Sequence, residues 1–253
     1  MMSLTEISLG TVVKKQYIFK LRSYANLYVS LVITQLIALL FTIGGMVIEN
    51  RGIGWNNIFL EVKFYSSLGI FIFTVFWILI YSFILPFPSY RYPDFSFVTN
   101  RVSSNMANMG FLITAAIAGG VTVTLGSLLV RNIIYYIGGN EGILSSNFWV
   151  SGGDLFTSMA VGSLYLLLLG TIGYFLGILV QLHRSLYLIL PAFILGLLIY
   201  AIYAARTNPG LVSQPILFFV QEEAPVLFIL KIIGSVLLLW LGATILSNRV
   251  ELR

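Results

Sequence analysis

Residues 158–182 read SMAVGSLYLLLLGTIGYFLGILVQL, a run without a charged side chain. A helix rises about 1.5 Å per residue, so about 20 apolar residues cross a hydrocarbon core of about 30 Å. The run also lacks the in/out alternation that strands of a membrane barrel show. It therefore predicts a helix that crosses a lipid bilayer.

The composition of the whole chain points the same way. Of its 253 residues, 58% are hydrophobic and 9% are charged. Soluble domains carry charge on roughly a quarter of their residues, and so few charged side chains cannot cover a soluble globule of this size. A soluble protein is excluded. The lack of cysteine also excludes disulfides, thiolate metal sites and cysteine nucleophiles.

Six apolar runs of this kind predict an all-α polytopic membrane protein, with residues 1–253 forming a single transmembrane domain. Open sheets are excluded because their edges cannot satisfy backbone hydrogen bonds in lipid. The predicted transmembrane helices are 27–48, 64–85, 110–130, 158–182, 186–204 and 226–246.

Basic residues in the connections predict that both termini are cytoplasmic, because loops rich in Lys and Arg stay inside. With the amino terminus inside, the inner basic residues are Lys14, Lys15, Lys20, Arg22, Arg91, Arg101, Arg184, Arg249 and Arg253. The outer ones are Arg51, Lys63, Arg131, Arg206 and Lys231. The expected location is the cell membrane, as a multi-pass protein of a bacterial plasma membrane.

The amino-terminal segment 3–23 interleaves apolar residues with lysines. This pattern is typical of an amphipathic helix that lies flat at the headgroup level, and we predict such an interfacial elbow helix here. The alternative is a cytoplasmic tail whose lysines only fix the orientation.

The largest inner connection contains a second predicted helix, at 94–105. Pro93 ends the preceding structure, Asp94 is a suitable N-cap, and Phe95, Val98 and Val102 recur at helical spacing. A cytoplasmic helix with an apolar stripe indicates a docking surface for a partner. The alternative is a loop that packs against the protein's own spans.

On the outer side, the segment 208–225 holds an apolar run too short to cross the bilayer. It either dips partway into the membrane or lies on its surface. Lys231 stands about six residues into the last span. It is interpreted as a cation that snorkels outward, with a substrate-facing cation as the alternative.

The sequence offers no catalytic chemistry of its own. The Gly-x-x-x-x-Gly-Lys-[Ser/Thr] loop that holds nucleotide phosphates is missing. The one histidine, His183, stands beside Arg184 at a predicted cytoplasmic helix end. We therefore predict no catalytic, cofactor-binding or metal-binding residue, and not an enzyme by itself.

The order of these segments resembles the membrane subunit of type-2 ABC exporters. That family has an amphipathic elbow, six spans, an inner helix after the second span and a partly buried segment before the sixth. The string Gly170-Thr-Ile-Gly-Tyr-Phe-Leu-Gly177, followed by His183 and Arg184, is similar to the family's fourth span and its basic turn. The resemblance covers nearly the whole chain.

The resemblance implies the permease function of such an exporter. A separate cytoplasmic ABC ATPase would drive the movement of an amphipathic or apolar cargo out of the cytoplasm, with peptide favoured and lipid or lipid-linked glycan as alternatives. A second membrane subunit, identical or homologous, and membrane lipid would be the other partners; no nucleic acid is expected.

Two groups of site residues follow from the resemblance. The ATPase-coupling residues would be Asp94, Phe95, Val98, Arg101 and Val102. The outer gate would include Phe218, Phe219, Glu222 and Glu223.

Two other functions compete with this interpretation. The first is a non-transporting membrane protein, such as an immunity or scaffold subunit that binds a partner within the bilayer. The second is a secondary transporter, which the lack of ionisable groups in the middle of the spans disfavours.

Overall fold

The structure is a computed structural model. It describes residues 8–43, 48–55, 58–65, 68–91, 100–138, 150–182 and 224–247, together with single residues between 185 and 218. Within this part of the chain the fold is mainly helical, with one β-hairpin.

Seven helices and two strands are described. In chain order they are α1 (Leu9–Ser23), α2 (Ala25–Ile43), β1 (Ile48–Trp55), β2 (Ile58–Tyr65), α3 (Leu68–Ile84), α4 (Pro88–Arg91), α5 (Arg101–Gly138), α6 (Gly152–Leu182) and α7 (Pro225–Ser247).

Four described helices are long and apolar enough to cross a membrane: α2, α5 as far as Ile133, α6 and α7. They coincide with the first, third, fourth and sixth predicted spans, and the chain is therefore a membrane-embedded protein. The second predicted span coincides with α3, whose 17 residues lie at the short end of the range of about 17–25 residues for a spanning helix. The fifth, at 186–204, lies largely outside the described residues.

The lengths of α5 and α6 exceed the predicted spans. With 38 and 31 residues, these helices are about 57 and 46 Å long, longer than a hydrocarbon core of about 30 Å. Both helices therefore extend beyond the lipid tails. The predicted span covers the middle of α5 and all but the first six residues of α6.

The β-hairpin is a correction to the predicted boundaries. Ile48 and Phe64, which the sequence analysis placed at span ends, lie in β1 and β2, and the strands pair antiparallel from Ile48 with Tyr65 to Trp55 with Ile58. The signal was present in Leu60-Glu-Val-Lys-Phe64, because polar and apolar residues alternate there with the period of a strand. This alternation is easily missed, because only two serines separate β2 from the apolar residues of α3.

The described chain divides into two compact units. Unit 1 comprises residues 1–19, 79–112 and 167–253, and unit 2 comprises residues 20–78 and 113–166. Because α3, α5 and α6 each contribute one part to each unit, the division separates the two ends of these helices.

Glycines bring the helices of each unit into close contact. In unit 2, a Cβ added at Gly120 would lie 2.7 Å from the backbone nitrogen of Ser163 on α6. In unit 1, a Cβ at Gly173 would lie 2.9 Å from the carbonyl oxygen of Leu79, and one at Gly177 would lie 2.8 Å from Cγ of Pro86. Small residues permit this approach, as they do at helix interfaces in membranes generally.

The last helix, α7, buries only a narrow stripe that consists of Ile232, Val236, Ala243 and Ser247. Much of the rest of its surface is exposed Leu, Ile and Val. Lipid tails are as apolar as these side chains, so such a surface is expected of a helix that faces lipid.

Candidate functional site

The candidate site lies at the start of α5, which begins at Arg101. Asn100 precedes the helix, and its backbone N–H donates to Oγ of Ser103 at 3.2 Å, while that hydroxyl donates back to the carbonyl oxygen of Asn100 at 2.7 Å. The third helical residue thus satisfies a backbone group just before the helix, as in a capping box. This local exchange explains why the helix starts at this position.

One face of α5 carries three polar side chains in its first two turns. Arg101, Asn105 and Asn108 are spaced i, i+4 and i+7, which places them on the same side of a helix. Asn105 and Asn108 are both fully buried. Buried amides in a membrane protein need hydrogen-bond partners, because lipid offers none.

Tyr174 of α6 joins the two asparagines. Nδ2 of Asn108 donates to the Tyr174 hydroxyl at 3.1 Å, and that hydroxyl donates to Oδ1 of Asn105 at 2.8 Å. The tyrosine is 1% exposed. A hydroxyl has one proton to give, so the chain of hydrogen bonds runs in one direction, from Asn108 through Tyr174 to Asn105. We call these three residues the Asn105 cluster.

The Asn105 cluster ends in an unused donor. Nδ2 of Asn105 is buried and has no hydrogen-bond partner among the residues that the structure describes. Nε2 and Oε1 of Gln16 also lack a hydrogen-bond partner among the described residues. Gln16 is fully buried in α1 and, like Asn105, belongs to unit 1. A buried polar group without a partner costs about 1–3 kcal/mol, so such groups need a functional or structural reason.

Arg101 connects the same face of α5 to the end of α7. One of its guanidinium nitrogens donates to the carbonyl oxygen of Ser247 at 3.2 Å. Ser247 is the last residue of α7, where carbonyl groups lack partners within the helix and the helix dipole is negative. A cation is therefore well placed there.

The other predicted coupling residues are only partly accounted for. Arg101 and Val102 open α5, so the end of the predicted helix 94–105 is continuous with the third span. Asp94, Phe95 and Val98 lie outside the described residues. The coupling helix therefore stays a prediction.

Among the predicted gate residues, Phe218 is described, whereas Phe219, Glu222 and Glu223 lie outside the described residues. The ring of Phe218 lies 4.2 Å from Nζ of Lys231, and its carbonyl oxygen accepts a hydrogen bond from the same nitrogen at 3.3 Å. This contact ties one described residue of the outer segment to α7. The gate function itself stays a prediction.

Unit 2 has a polar cluster of its own, formed by Gln35, Thr74 and Thr122. Nε2 of Gln35 donates to Oγ1 of Thr74 at 3.2 Å and to Oγ1 of Thr122 at 2.9 Å. These hydroxyls in turn donate to backbone carbonyls one helical turn back. This Gln35 cluster links α2, α3 and α5.

The sequence analysis did not select the residues of the Asn105 cluster. Asn105 and Asn108 stood in the inner connection, and Tyr174 stood in the family-like string. The available signal was the spacing of Arg101, Asn105 and Asn108, which forms a polar stripe at the entrance to an apolar span. Across the described residues, no group of three or more His, Asp or Glu is arranged to hold a metal ion.

Comparisons of the chain with protein-family models, with curated proteins and with solved structures found no match.

Proposed function

We propose that the chain is the membrane-spanning subunit of an ATP-driven exporter, with six spans and both termini in the cytoplasm. A separate cytoplasmic ATPase drives it, and a second membrane subunit, identical or homologous, completes the pathway. The cargo is amphipathic or apolar, and peptide is favoured. The residue pattern that resembles type-2 ABC exporters is the origin of this proposal.

The observation that carries the proposal is the continuity of α5. The helix begins at Arg101, inside the predicted docking segment, and continues without a break through the third predicted span. A helix is rigid along its axis, so a displacement of its first turn is transmitted along its length. An ATPase that binds at 94–105 would therefore act directly on a spanning helix.

The contacts of the first turns support the same mechanism. Arg101 holds the end of α7 through Ser247, and Asn105 and Asn108 hold α6 through Tyr174. A movement at the start of α5 would therefore also displace the parts of α6 and α7 that it contacts in unit 1. Hydrogen bonds suit such a junction because they can exchange partners when helices shift.

The amino-terminal helix α1 is compatible with an elbow. Lys14 and Lys15 are exposed, and the helix is followed after one residue, Tyr24, by α2. An amphipathic elbow is expected to bury apolar side chains, whereas α1 fully buries the polar side chains of Gln16 and Lys20. Ile18 is 37% exposed, which suits an apolar side chain in contact with lipid.

The decisive experiment is co-purification with a candidate ATPase encoded near the gene. A Phe95→Asp, Val98→Asp double variant should lose the complex and its ATP hydrolysis, because two carboxylates would oppose docking in an apolar groove. Phe156→Asp is the matched control. Phe156 is 75% exposed near the start of α6, on the predicted outer side, so its replacement should leave the complex intact.

Each result has a definite meaning. An unaffected complex in the double variant would remove the coupling helix from 94–105. If no ATPase forms a complex with the native chain, the non-transporting membrane protein becomes the better interpretation.

The predicted orientation is tested separately by labelling single cysteines, since the native chain has none. Gly10 in α1 and Gly152 at the start of α6 both have open space where a Cβ would be added, so Gly10→Cys and Gly152→Cys should fold normally. A membrane-impermeant thiol reagent should label Gly152→Cys in intact cells and Gly10→Cys only after permeabilisation. Equal labelling of both would refute the proposed topology.

A further inference from the structure

The Asn105 cluster has the properties of a binding site for a neutral carbonyl group. We propose that Nδ2 of Asn105 donates a hydrogen bond to a backbone carbonyl of the exported peptide as the peptide passes the start of α5. This inference rests on the proposed export function, and it names the residue and the atom that recognise the cargo.

The first step of the argument concerns orientation. Tyr174 donates to Oδ1 of Asn105 at 2.8 Å and receives a hydrogen bond from Asn108 at 3.1 Å. In this arrangement the single proton of the tyrosine is donated to the oxygen of the Asn105 amide, and the nitrogen is the other end of that amide. The NH₂ group is therefore held away from Tyr174 as a donor of fixed direction.

The second step concerns the cost of that donor. Asn105 is fully buried, and within the described chain its Nδ2 meets no acceptor. Leucine at this position would avoid the cost of an unpaired buried donor. Retaining an oriented donor is physically sensible where an acceptor occupies it during the working cycle.

The third step identifies the acceptor. The cluster contributes two amides and one phenol, all neutral, so it offers little to compensate a fully buried charged group. A carbonyl oxygen needs only one or two hydrogen bonds, which an amide NH₂ can supply. Peptides carry such a carbonyl at every residue. Moving a carbonyl without a hydrogen-bond partner into an apolar surrounding costs several kcal/mol of free energy.

Gln16 provides an independent observation of the same kind. Its amide is fully buried on α1, and neither of its polar atoms has a partner in the described part of the chain. Tyr17, the next residue, packs against α5, since a Cβ at Gly110 would lie 3.2 Å from its Cδ2 atom. Unit 1 thus holds a second amide, which can both donate to a peptide C=O and accept from a peptide N–H.

The test uses the purified full-length chain in lipid nanodiscs, without an ATPase. The probe is N-acetyl-trileucine amide, whose carbonyls are labelled with ¹³C and ¹⁸O one at a time. Binding is measured by equilibrium dialysis, and the labelled carbonyl is followed by infrared spectroscopy. Relative to the same probe in nanodiscs without the protein, we expect one carbonyl to absorb at lower frequency, because a hydrogen bond weakens the C=O stretch and lipid tails offer none.

Two variants separate the proposed role from a merely structural one. Asn105→Leu removes the donor and should weaken binding at least tenfold and abolish the shift. Gln35→Leu is the control: it removes an amide of unit 2 whose nitrogen already donates to Thr74 and Thr122. It should change binding less than threefold and retain the shift.

A second measurement changes the probe. Replacing the oxygen of the shifted carbonyl by sulfur keeps the backbone of the probe and weakens its acceptor, and the comparison with Asn105→Leu controls for the larger size of sulfur. This thioamide should bind the native chain several-fold more weakly than the parent probe, and it should bind Asn105→Leu no more weakly than the parent does. Equal affinity of the two probes for the native chain would overturn the proposal.

The remaining outcomes are also decisive. Equal losses in Asn105→Leu and Gln35→Leu, or no probe binding to the native chain, would overturn the carbonyl site. If an ATPase complex forms while the probe fails to bind, the exporter function survives and the site does not. If the probe binds as expected while every ATPase fails, the site survives and the exporter function does not.

Discussion

The Gln35 cluster of unit 2 and the Asn105 cluster of unit 1 are built from the same kinds of side chain. The Gln35 cluster has one primary amide and two threonine hydroxyls, and the Asn105 cluster has two primary amides and one tyrosine hydroxyl. In the Gln35 cluster the amide nitrogen donates to two threonine hydroxyls, and both hydroxyls donate onward to backbone carbonyls. In the Asn105 cluster the hydrogen bonds end at Oδ1 of Asn105, and the nitrogen of the same amide has no partner among the described residues.

The difference between the clusters indicates two different roles. A satisfied network between helices fixes their packing, and in membranes such hydrogen bonds contribute about 0.6 kcal/mol each on average. A network with an unpaired donor stabilises helix packing less than a fully paired network does. A role other than packing therefore explains it better. We therefore expect the Gln35 cluster to have a structural role and the Asn105 cluster to have a role in binding.

The largest expected effect comes from the helix contact in unit 2. Gly120→Ala would place a Cβ 2.7 Å from the backbone nitrogen and 2.9 Å from Cα of Ser163, and neither atom can move alone. We expect a loss of about 3 kcal/mol or more in the free energy of unfolding, near the upper end for overpacking, measured by denaturant titration in mixed micelles.

Gly234→Ala is the control for this prediction. Gly234 lies in α7 with nothing within 4 Å of the added Cβ, so its replacement should leave stability unchanged or raise it slightly. Equal effects of the two substitutions would show that the close contact at Gly120 does not limit packing.

The next effect concerns the centre of the Asn105 cluster. Tyr174→Phe removes a hydroxyl that serves Asn108 as acceptor and Asn105 as donor. Two buried polar atoms lose a partner at once, so the unfolding free energy should fall by about 2 kcal/mol. A change below about 0.5 kcal/mol would contradict the arrangement of the cluster.

A smaller effect is expected at the Gln35 cluster. Gln35→Leu removes two hydrogen bonds between helices, but Thr74 and Thr122 keep their bonds to backbone carbonyls. The loss should be about 1 kcal/mol, from two bonds of about 0.6 kcal/mol each. Transport or probe binding should survive, and a specific loss of either without a loss of stability would assign a working role to unit 2 as well.

The smallest effect on stability is expected at Asn105. Asn105→Leu loses the hydrogen bond from Tyr174 but also removes an unpaired buried donor, and these contributions oppose each other. The unfolding free energy should change by less than about 1 kcal/mol while probe binding is lost. A destabilisation larger than that of Tyr174→Phe would make Asn105 a packing residue and erase the contrast between the two clusters.

The sequence predicted the spanning helices well because lipid imposes one strong condition on them. Length and apolarity alone identify α2, α5, α6 and α7, since a helix in lipid must satisfy its own backbone and expose apolar side chains. The hairpin at 48–65 was missed for the complementary reason. A strand next to an apolar helix shares its composition, and only the alternation around Glu61 and Lys63 indicates it.

The candidate site depended on tertiary structure far more than the helices did. The sequence shows that Arg101, Asn105 and Asn108 share a face of one helix, because that spacing is local. It does not show that Tyr174, 66 residues beyond Asn108, supplies the hydroxyl between the two amides. Nor does it show that Gln16 is buried, since glutamine in a charged amino-terminal helix is expected to face water or headgroups.

By itself, the sequence determined that this protein is embedded in lipid, that it is mainly helical and where its apolar spans lie. These properties follow from the free energy of transferring each segment into lipid, which depends on local composition. Only the tertiary structure decided which buried polar groups meet and which remain without a partner. Hydrogen bonding depends on distances of about 3 Å between atoms on different helices, and local composition does not set those distances.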